Sequence, residues 1–434
     1  PSTNPFMDDI ITVTIDSLRA DYCGWQSDVD LTPNLDALAA ESLVFTSAIS
    51  PGPRTLSSVP VTHTGVPFAV TKHDTTKYGE RVARIRNHIR SFETISETLQ
   101  DMGYTTLAFT ANPWTSSDNE FDTGFDQFHE VGRSGGSIIK LFEGTPVEKG
   151  ARLLDRWLND DTWFCTWRTF YDDIIDSFNE VDGPVFTWIF LLDTHNPYIV
   201  PRQDRQESST YGMYSSTLRA NDALNRTDTK THYRTSLDTR SLRNLRRAYR
   251  DSIRSVDTFI GQLRSDIDDA AMVVHSDHGE AFGEHGTYGH QPVLYEENVH
   301  VPLLVYDGRV QERVNEMVST VSIPEITRSI ACNEDLDPEA WSTDYALSRT
   351  ESDDRMAIRG NRWKYIWSED GAELYDLVED PREKTDVSEE HLDCIAEFET
   401  RRKEYIDTLP KPPSSTGSIE SEDMKSHLES LGYL

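Results

Sequence analysis

The sequence predicts an α/β fold: a mostly parallel central sheet with helices on both faces, followed by a small C-terminal α+β antiparallel subdomain. Two observations carry that prediction. Four compact apolar runs, "ITVTIDSLRA", "VFTWIFLLD", "AMVVHSD" and "VPLLVYDG", have the length and β-branched content of buried strands. Helical patterns alternate with them, which is the order of a sheet covered on both sides.

Each element follows from its residues. "MDDIITVTIDSLRADYCG" is a strand entering a turn. "TPNLDALAAES" is a helix with Thr32 or Asn34 near its cap and Leu35 and Leu38 on one face. "SFETISETLQDMGYTTLAFTANPW" is helix, Gly turn, strand. "PVFTWIFLLDTHNPY" and "AMVVHSDHGEAFGEHG" are strands that end in polar residues. "LRNLRRAYRDSIRSVDTFIGQLRS" is an amphipathic helix. Residues 133–183 are helical and rich in Trp (Trp157, Trp163, Trp167), and read as a packed insertion, with a lid or a homo-oligomer surface as alternatives. Residues 201–240 read as a long polar loop. The expected boundaries are a catalytic domain over 1–340, the C-terminal subdomain over 341–410 and a tail over 411–434.

Composition narrows the partners. The chain carries 75 acidic and 42 basic residues, a net charge of −33, and only 10 of the bases are Lys. Like charges at this density repel at low ionic strength, and salt screens them. A Lys-poor acidic surface therefore points to a salt-loving, archaeal-type source. The same charge disfavours nucleic acid as a partner. No apolar run reaches the roughly 20 residues of a membrane helix, and no signal-peptide pattern is visible. The expectation is a cytoplasmic protein, with a mature secreted chain as the alternative. Four scattered Cys lack any CxxC or zinc spacing and read as buried free thiols.

The chemistry-bearing residues sit where strands end. Asp16, the Asp193/His195 pair and the Asp277/His278 pair each follow an apolar run, and open parallel sheets bind ligands at the carboxyl ends of their strands. Asp16, Asp277 and His278 form a donor set for one divalent cation, Mn²⁺, Mg²⁺, Ca²⁺ or Zn²⁺. A single such pair is more often a helix cap beside a surface His; two strand ends shift the balance.

Three stretches together resemble the sulfatase family of the alkaline phosphatase superfamily: "ITVTIDSLRADYCG…TPNLDALAAESLVFTSAISPGPRTLSSVPVTHTG", "SDHGEAFGEHGTYGHQPVLYEENVHVPLLV" and "RGNRWKYIWSEDGAELYDLVEDPREKTDV". The resemblance implies an α/β core with a C-terminal subdomain, one or two bound metals and a covalent intermediate on a nucleophile beside the metal. Family sulfatases carry a Cys or Ser in a C/S-x-P-x-R pattern, converted to formylglycine. Here the family interval, counted back from Gly65, lands on Thr55, with Ser57 in place of the Pro and Val59 in place of the Arg. No formylglycine is expected. Ser50, with Arg54 downstream, is the rival placement.

"TLSSVP" also resembles the Thr-nucleophile stretch of phosphoethanolamine transferases and lipoteichoic-acid-type synthases. In those relatives a metal-activated Thr attacks phosphorus. The resemblance then assigns Thr55 as nucleophile and fourth metal ligand. His195 and His290 assist the leaving group, and Arg54 stabilises charge or pairs with an acid. Asn112 and Asp193 bind substrate, Asp193 alternatively being a ligand at a second metal site or supporting a metal ligand, and His285 is a weaker site candidate. Ser17 stands where many sulfatases carry a second Asp. The Arg residues of the 240–254 helix pair with acids or recruit an anionic substrate. The expected activity is hydrolysis of a phosphate mono- or diester, or a sulfate ester, on a small-molecule, glycan or lipid-headgroup substrate. The alternatives are transfer of the phosphoryl-linked group to a glycan or lipid headgroup, and a non-catalytic binding protein on the same fold.

Overall fold

The structure is a computed structural model that describes residues 9–70, 78–131, 165–226 and 233–411. Its large sheet has eight strands. Six come first in the chain: β1 (Ile10–Ile15), β2 (Leu43–Ile49), β3 (Thr105–Thr110), β4 (Gln127–Glu130), β5 (Val185–Leu191) and β6 (Ala271–Ser276). A separate two-stranded hairpin follows, β7 (Ala281–Phe282) with β8 (Tyr288–Gly289). The last two strands of the large sheet are β9 (His300–Tyr306) and β10 (Glu312–Ser319). Their order is β10-β2-β9-β6-β1-β5-β3-β4. All pairings are parallel except those of β9 with β2 and β6. The expected mostly parallel sheet is therefore present.

Alternation along the strands builds a core on each face. In β5, Ile189 and Leu191 join one cluster with α1 (Pro33–Ala39) and the long helix Thr239–Asp266, while Phe186, Trp188 and Phe190 join the other. That second layer includes α2 (Thr55–Thr64), α3 (Tyr78–Ser91) and α4 (Ile95–Asp101). Successive strand residues point to opposite faces, so a run apolar at nearly every position is buried on both. Polar members of the strands find partners inside: Trp188 Nε1 donates to Thr14 Oγ1 at 3.0 Å, itself 2.9 Å from His275 Nε2.

Because β1, β2, β3, β5 and β6 run the same way, their carboxyl ends share one edge of the sheet. β9 runs against them and brings its amino end, with the helix Glu296–Val299, to that edge. A second sheet, β11 (Ala346–Arg349), β12 (Arg355–Arg359), β13 (Trp363–Ser368) and β14 (Gly371–Asp376), is antiparallel throughout. The helix Leu392–Thr408 packs on it through Phe398, stacked on Tyr365.

Two expectations change. Residues 201–240 contain a helix, Thr210–Asn225, with Ser209 capping its start. Its buried face is Met213, Ser216, Thr217 and Ala220, a 3.6-residue period made half of polar residues, which hydropathy does not register. Of the four free thiols, only Cys23 is buried and Cys332 is exposed. Most of the expected insertion, with Trp157 and Trp163, and nearly all of the 411–434 tail lie outside the described residues; Trp167 is buried against Phe259.

Candidate active site

Asp16 is the first residue beyond β1, and Asp277 and His278 are the first beyond β6. One donor atom from each lies within 4.8 Å of the others, and all three residues are fully buried. Local backbone holds them there. Ser17, in the left-handed region at φ 61°, donates its N–H to Asp277 Oδ1 at 3.1 Å and its hydroxyl to Asp16 Oδ1 at 2.8 Å. Tyr249 of the long helix donates to the Ser17 carbonyl at 2.7 Å, pinning that turn. A Cβ at Gly279 would stand 2.1 Å from the Glu297 carbonyl oxygen, so only glycine lets the chain pass behind His278.

The imidazole has a defined role. His278 Nδ1 lies 2.8 Å from the Gly279 carbonyl, which places the proton on Nδ1 and turns the Nε2 lone pair inward. That Nε2 is 3.6 Å from Asp16 Oδ1 and 3.5 Å from Asp277 Oδ2.

Thr55 opens α2, with Arg54 as its N-cap, and Gly65 ends that helix at φ 67°. Its hydroxyl donates to Asp277 Oδ2 at 2.8 Å and lies 3.5 Å from both Asp16 Oδ2 and His278 Nε2. Asn112, just past β3, donates from Nδ2 to Asp16 Oδ2 at 2.8 Å, 3.4 Å from Thr55 Oγ1. Its own Oδ1 accepts the Trp114 N–H, which fixes the amide's orientation. His290 stands between His278 and His195, with ring centroids 5.0 and 4.8 Å away.

The electrostatics are those of an acid pair without a counterion. Burial, then the charge of Asp277, drives the Asp16 carboxyl well above its usual range. Burial pushes Asp277 up to about 7, against the Thr55 hydrogen bond. Among the described residues no Lys or Arg pairs with either carboxylate. Two hard oxygen donors and an imidazole nitrogen, enclosed and short of positive charge, fit a divalent cation. Burial and the neighbouring imidazoles push His195 well below the usual histidine range. Burial, His278 and Arg54 do the same to His290, so both rings are neutral.

The other expected residues have partners of their own. Arg54 donates to the His290 carbonyl at 2.8 Å and pairs with Glu351 at 2.8 Å, on the turn between β11 and β12. Asp193 lies outside the triad's cluster: its carboxylate accepts the Trp167 N–H at 3.2 Å, and burial pushes it up to about 7. Ser50 Oγ faces the backbone carbonyls of Gly52 and Asp277. His285 bridges Glu297 at 2.7 Å and the Glu383 carbonyl at 2.8 Å, clamping a turn. In the long helix, Arg246, Arg250 and Arg254 pair with Glu284, Glu207 and Asp251.

Sequence reasoning passes over Ser17's two hydrogen bonds, Tyr249 and Glu280. Glu280 is fully buried, raised by burial to about 8, with Oε2 3.5 Å from His290 Nδ1. Its signal is its place in "SDHGE". Tyr249 offers none, as one more aromatic on an apolar helix face.

This edge of strand ends, with its buried carboxylates, imidazoles and hydroxyl, sits on a fold shared with the alkaline phosphatase superfamily. A protein of that superfamily from Vibrio parahaemolyticus superposes with a TM-score of 0.55 at 17% identity, over 84% of this chain and 78% of that one. The phosphonate monoester hydrolase of Agrobacterium radiobacter gives 0.64 at 17% identity over 92% and 94%. A 2-O GAG sulfatase gives 0.65 at 15% identity over 94% and 98%. Within that class the chain belongs to the sulfatase family, whose model, described as Sulfatase, matches residues 8–327. Xenopus laevis arylsulfatase K is 25% identical over 211 residues, 40% of this chain and 39% of the relative. Human iduronate 2-sulfatase is 23% identical over 352 residues, 73% of this chain and 61% of the relative. The matches thus span less than two thirds of either relative's own length.

Proposed function

We propose that the chain is a divalent-cation-dependent hydrolase that cleaves a phosphate mono- or diester through a covalent intermediate on Thr55, with sulfate esters as the second substrate class. The observation that carries this is the placement of Thr55 Oγ1, 2.8 Å from Asp277 Oδ2 and 3.5 Å from His278 Nε2. Asp16, Asp277, His278 and the Thr55 hydroxyl would hold the cation, which when bound supplies Lewis-acid stabilisation of negative charge.

Asp277 orients the Thr55 hydroxyl and accepts its proton as the Oγ1–phosphorus bond forms and the ester oxygen departs. Asn112 Nδ2 offers a hydrogen bond to a non-bridging oxygen of the transferred group. His290 and His195, packed ring to ring and neutral, are placed to donate a hydrogen bond to the leaving oxygen, which takes its proton from solvent, and then to accept the proton of the water that releases Thr55. Arg54 holds the His290 segment through its carbonyl rather than contacting the transferred group. Phosphorus is favoured because Thr55 keeps a plain hydroxyl where family sulfatases use formylglycine. Ser50 is disfavoured because its hydroxyl faces backbone carbonyls.

The test is turnover in high salt with Mn²⁺, Mg²⁺, Ca²⁺ or Zn²⁺, on an aryl phosphate, an aryl phosphodiester and an aryl sulfate. It is followed by acid quench and mass spectrometry of the peptide carrying Thr55. Phosphoester turnover with a phosphoryl adduct on Thr55 supports the proposal. An adduct on Ser50 overturns the nucleophile, and sulfate-only turnover overturns the substrate class. Products extended by an added glycan or headgroup acceptor would mark a transferase.

A further inference from the structure

A cavity of about 810 Å³ lies at the same edge of the sheet, lined by none of the triad residues, Thr55, His195 or His290. Five cationic side chains reach it from four segments: Arg19, Arg246, Arg359, and Arg382 with Lys384. In a chain with a net charge of −33, that concentration is out of proportion.

The acids that share the lining are already matched. Asp21 pairs with Arg19, and Glu284 with Arg19 and Arg246. Glu296 takes Lys364, Arg359 and His300, and Glu297 takes His285. Two of the five cations are not matched in return. Arg382 and Lys384 are exposed and make no ion pair among the described residues, and Arg359 keeps an Nε without a hydrogen-bond partner. Positive charge extends outward from the cavity. Next to Arg246 on the long helix, Arg240, Arg243 and Arg247 share one face at helical spacing, exposed and without ion pairs among the described residues. The volume falls in the range of small-molecule sites.

We propose that this cavity is a second ligand site, separate from Thr55, that binds a small molecule carrying a sulfate or phosphate group, with Arg382 and Lys384 as its principal anion contacts. Guanidinium and ammonium groups left without carboxylates hold such anions by charge-assisted hydrogen bonds. The room beyond them admits a sugar-sized body. The site stands independently of the proposed reaction.

Calorimetric titration at constant ionic strength, balanced with chloride, tests it. The probes are inorganic sulfate, inorganic phosphate, glucose 6-sulfate and glucose 6-phosphate. Saturable binding is expected to survive Thr55→Val and to weaken about tenfold or more in Arg382→Ser/Lys384→Ser, whose exposed positions leave folding intact. Tighter binding of the sugar esters than of the inorganic ions assigns the ligand as an ester; equal binding assigns a free anion. Binding unchanged by the double substitution, binding lost with Thr55→Val, or no saturable binding by the wild type would each overturn the proposal.

Discussion

At the strand ends, Asp16 and Asp277 lie buried together with an imidazole and a hydroxyl but no Lys or Arg among the described residues. Beside the Glu296–Val299 helix, Lys364 is equally buried, 3.0 Å from Glu296 and 2.8 Å from Glu383. The second cluster supplies its own counterion. Burial opposes the charge on Glu296, yet Lys364, Arg359 and His300 outweigh it and hold that carboxyl below its usual range. Lys364 is held above its usual range by the two acids in spite of burial. Glu383, with Lys364 alone, is still pushed up by burial. The first cluster has no such compensation, and both its carboxyls rise. A charge cluster that is neutral within itself joins elements: here it ties β13 to the large sheet's edge. One left short of positive charge is built to receive it from outside.

The largest expected effect tests what the first cluster is for. Thr55→Val keeps the shape and removes the hydroxyl, and kcat/KM should fall about a thousandfold or more while Thr55→Ser retains activity. Unchanged turnover in the valine variant would leave the cluster with a purely structural role.

Lys364→Met attacks the second cluster. Removing Lys364 leaves Glu383 without a counterion and Glu296 with only Arg359 and His300, and unfolding by guanidinium should show a loss of about 3–5 kcal/mol. A neutral result would mean that Arg359 and His300 suffice for Glu296.

The contrast itself is sharpened by Asp277→Asn. Cation-free wild type should gain about 2–3 kcal/mol in thermal unfolding when Mn²⁺ reaches about a hundred times its Kd. The variant should gain almost nothing, yet start more stable than the cation-free wild type, because one of two repelling buried carboxylates is gone.

The smallest effect concerns Asp193, which belongs to neither cluster. Its carboxyl titrates at about 7 in the folded chain against an ordinary value of 3.8. The folded state therefore keeps a proton that the unfolded chain has lost, and stability should fall as pH rises from about 4 to about 7. Asp193→Asn still accepts the Trp167 N–H and should flatten that fall. At about pH 8 it should be more stable than wild type by about 1–2 kcal/mol, the partial exposure of Asp193 limiting the gain.

The local features are legible in the amino-acid sequence alone. Apolar runs such as "VFTWIFLLD" announce strands buried on both faces, because a side chain's face is set by its position in a two-residue period. Polar residues directly after those runs, Asp16, Asp277 and His278, announce the edge where they meet, because parallel strands end together. What the tertiary structure alone decides is partnership. Arg54 turns to Glu351, almost three hundred positions away, Asp193 to the Trp167 amide, and Tyr249 to the carbonyl of Ser17. The cationic cavity likewise assembles from segments between Arg19 and Lys384. Propensity and periodicity act over one or two turns of chain, whereas the choice of a counterion depends on which distant segment the packing brings within a few ångströms.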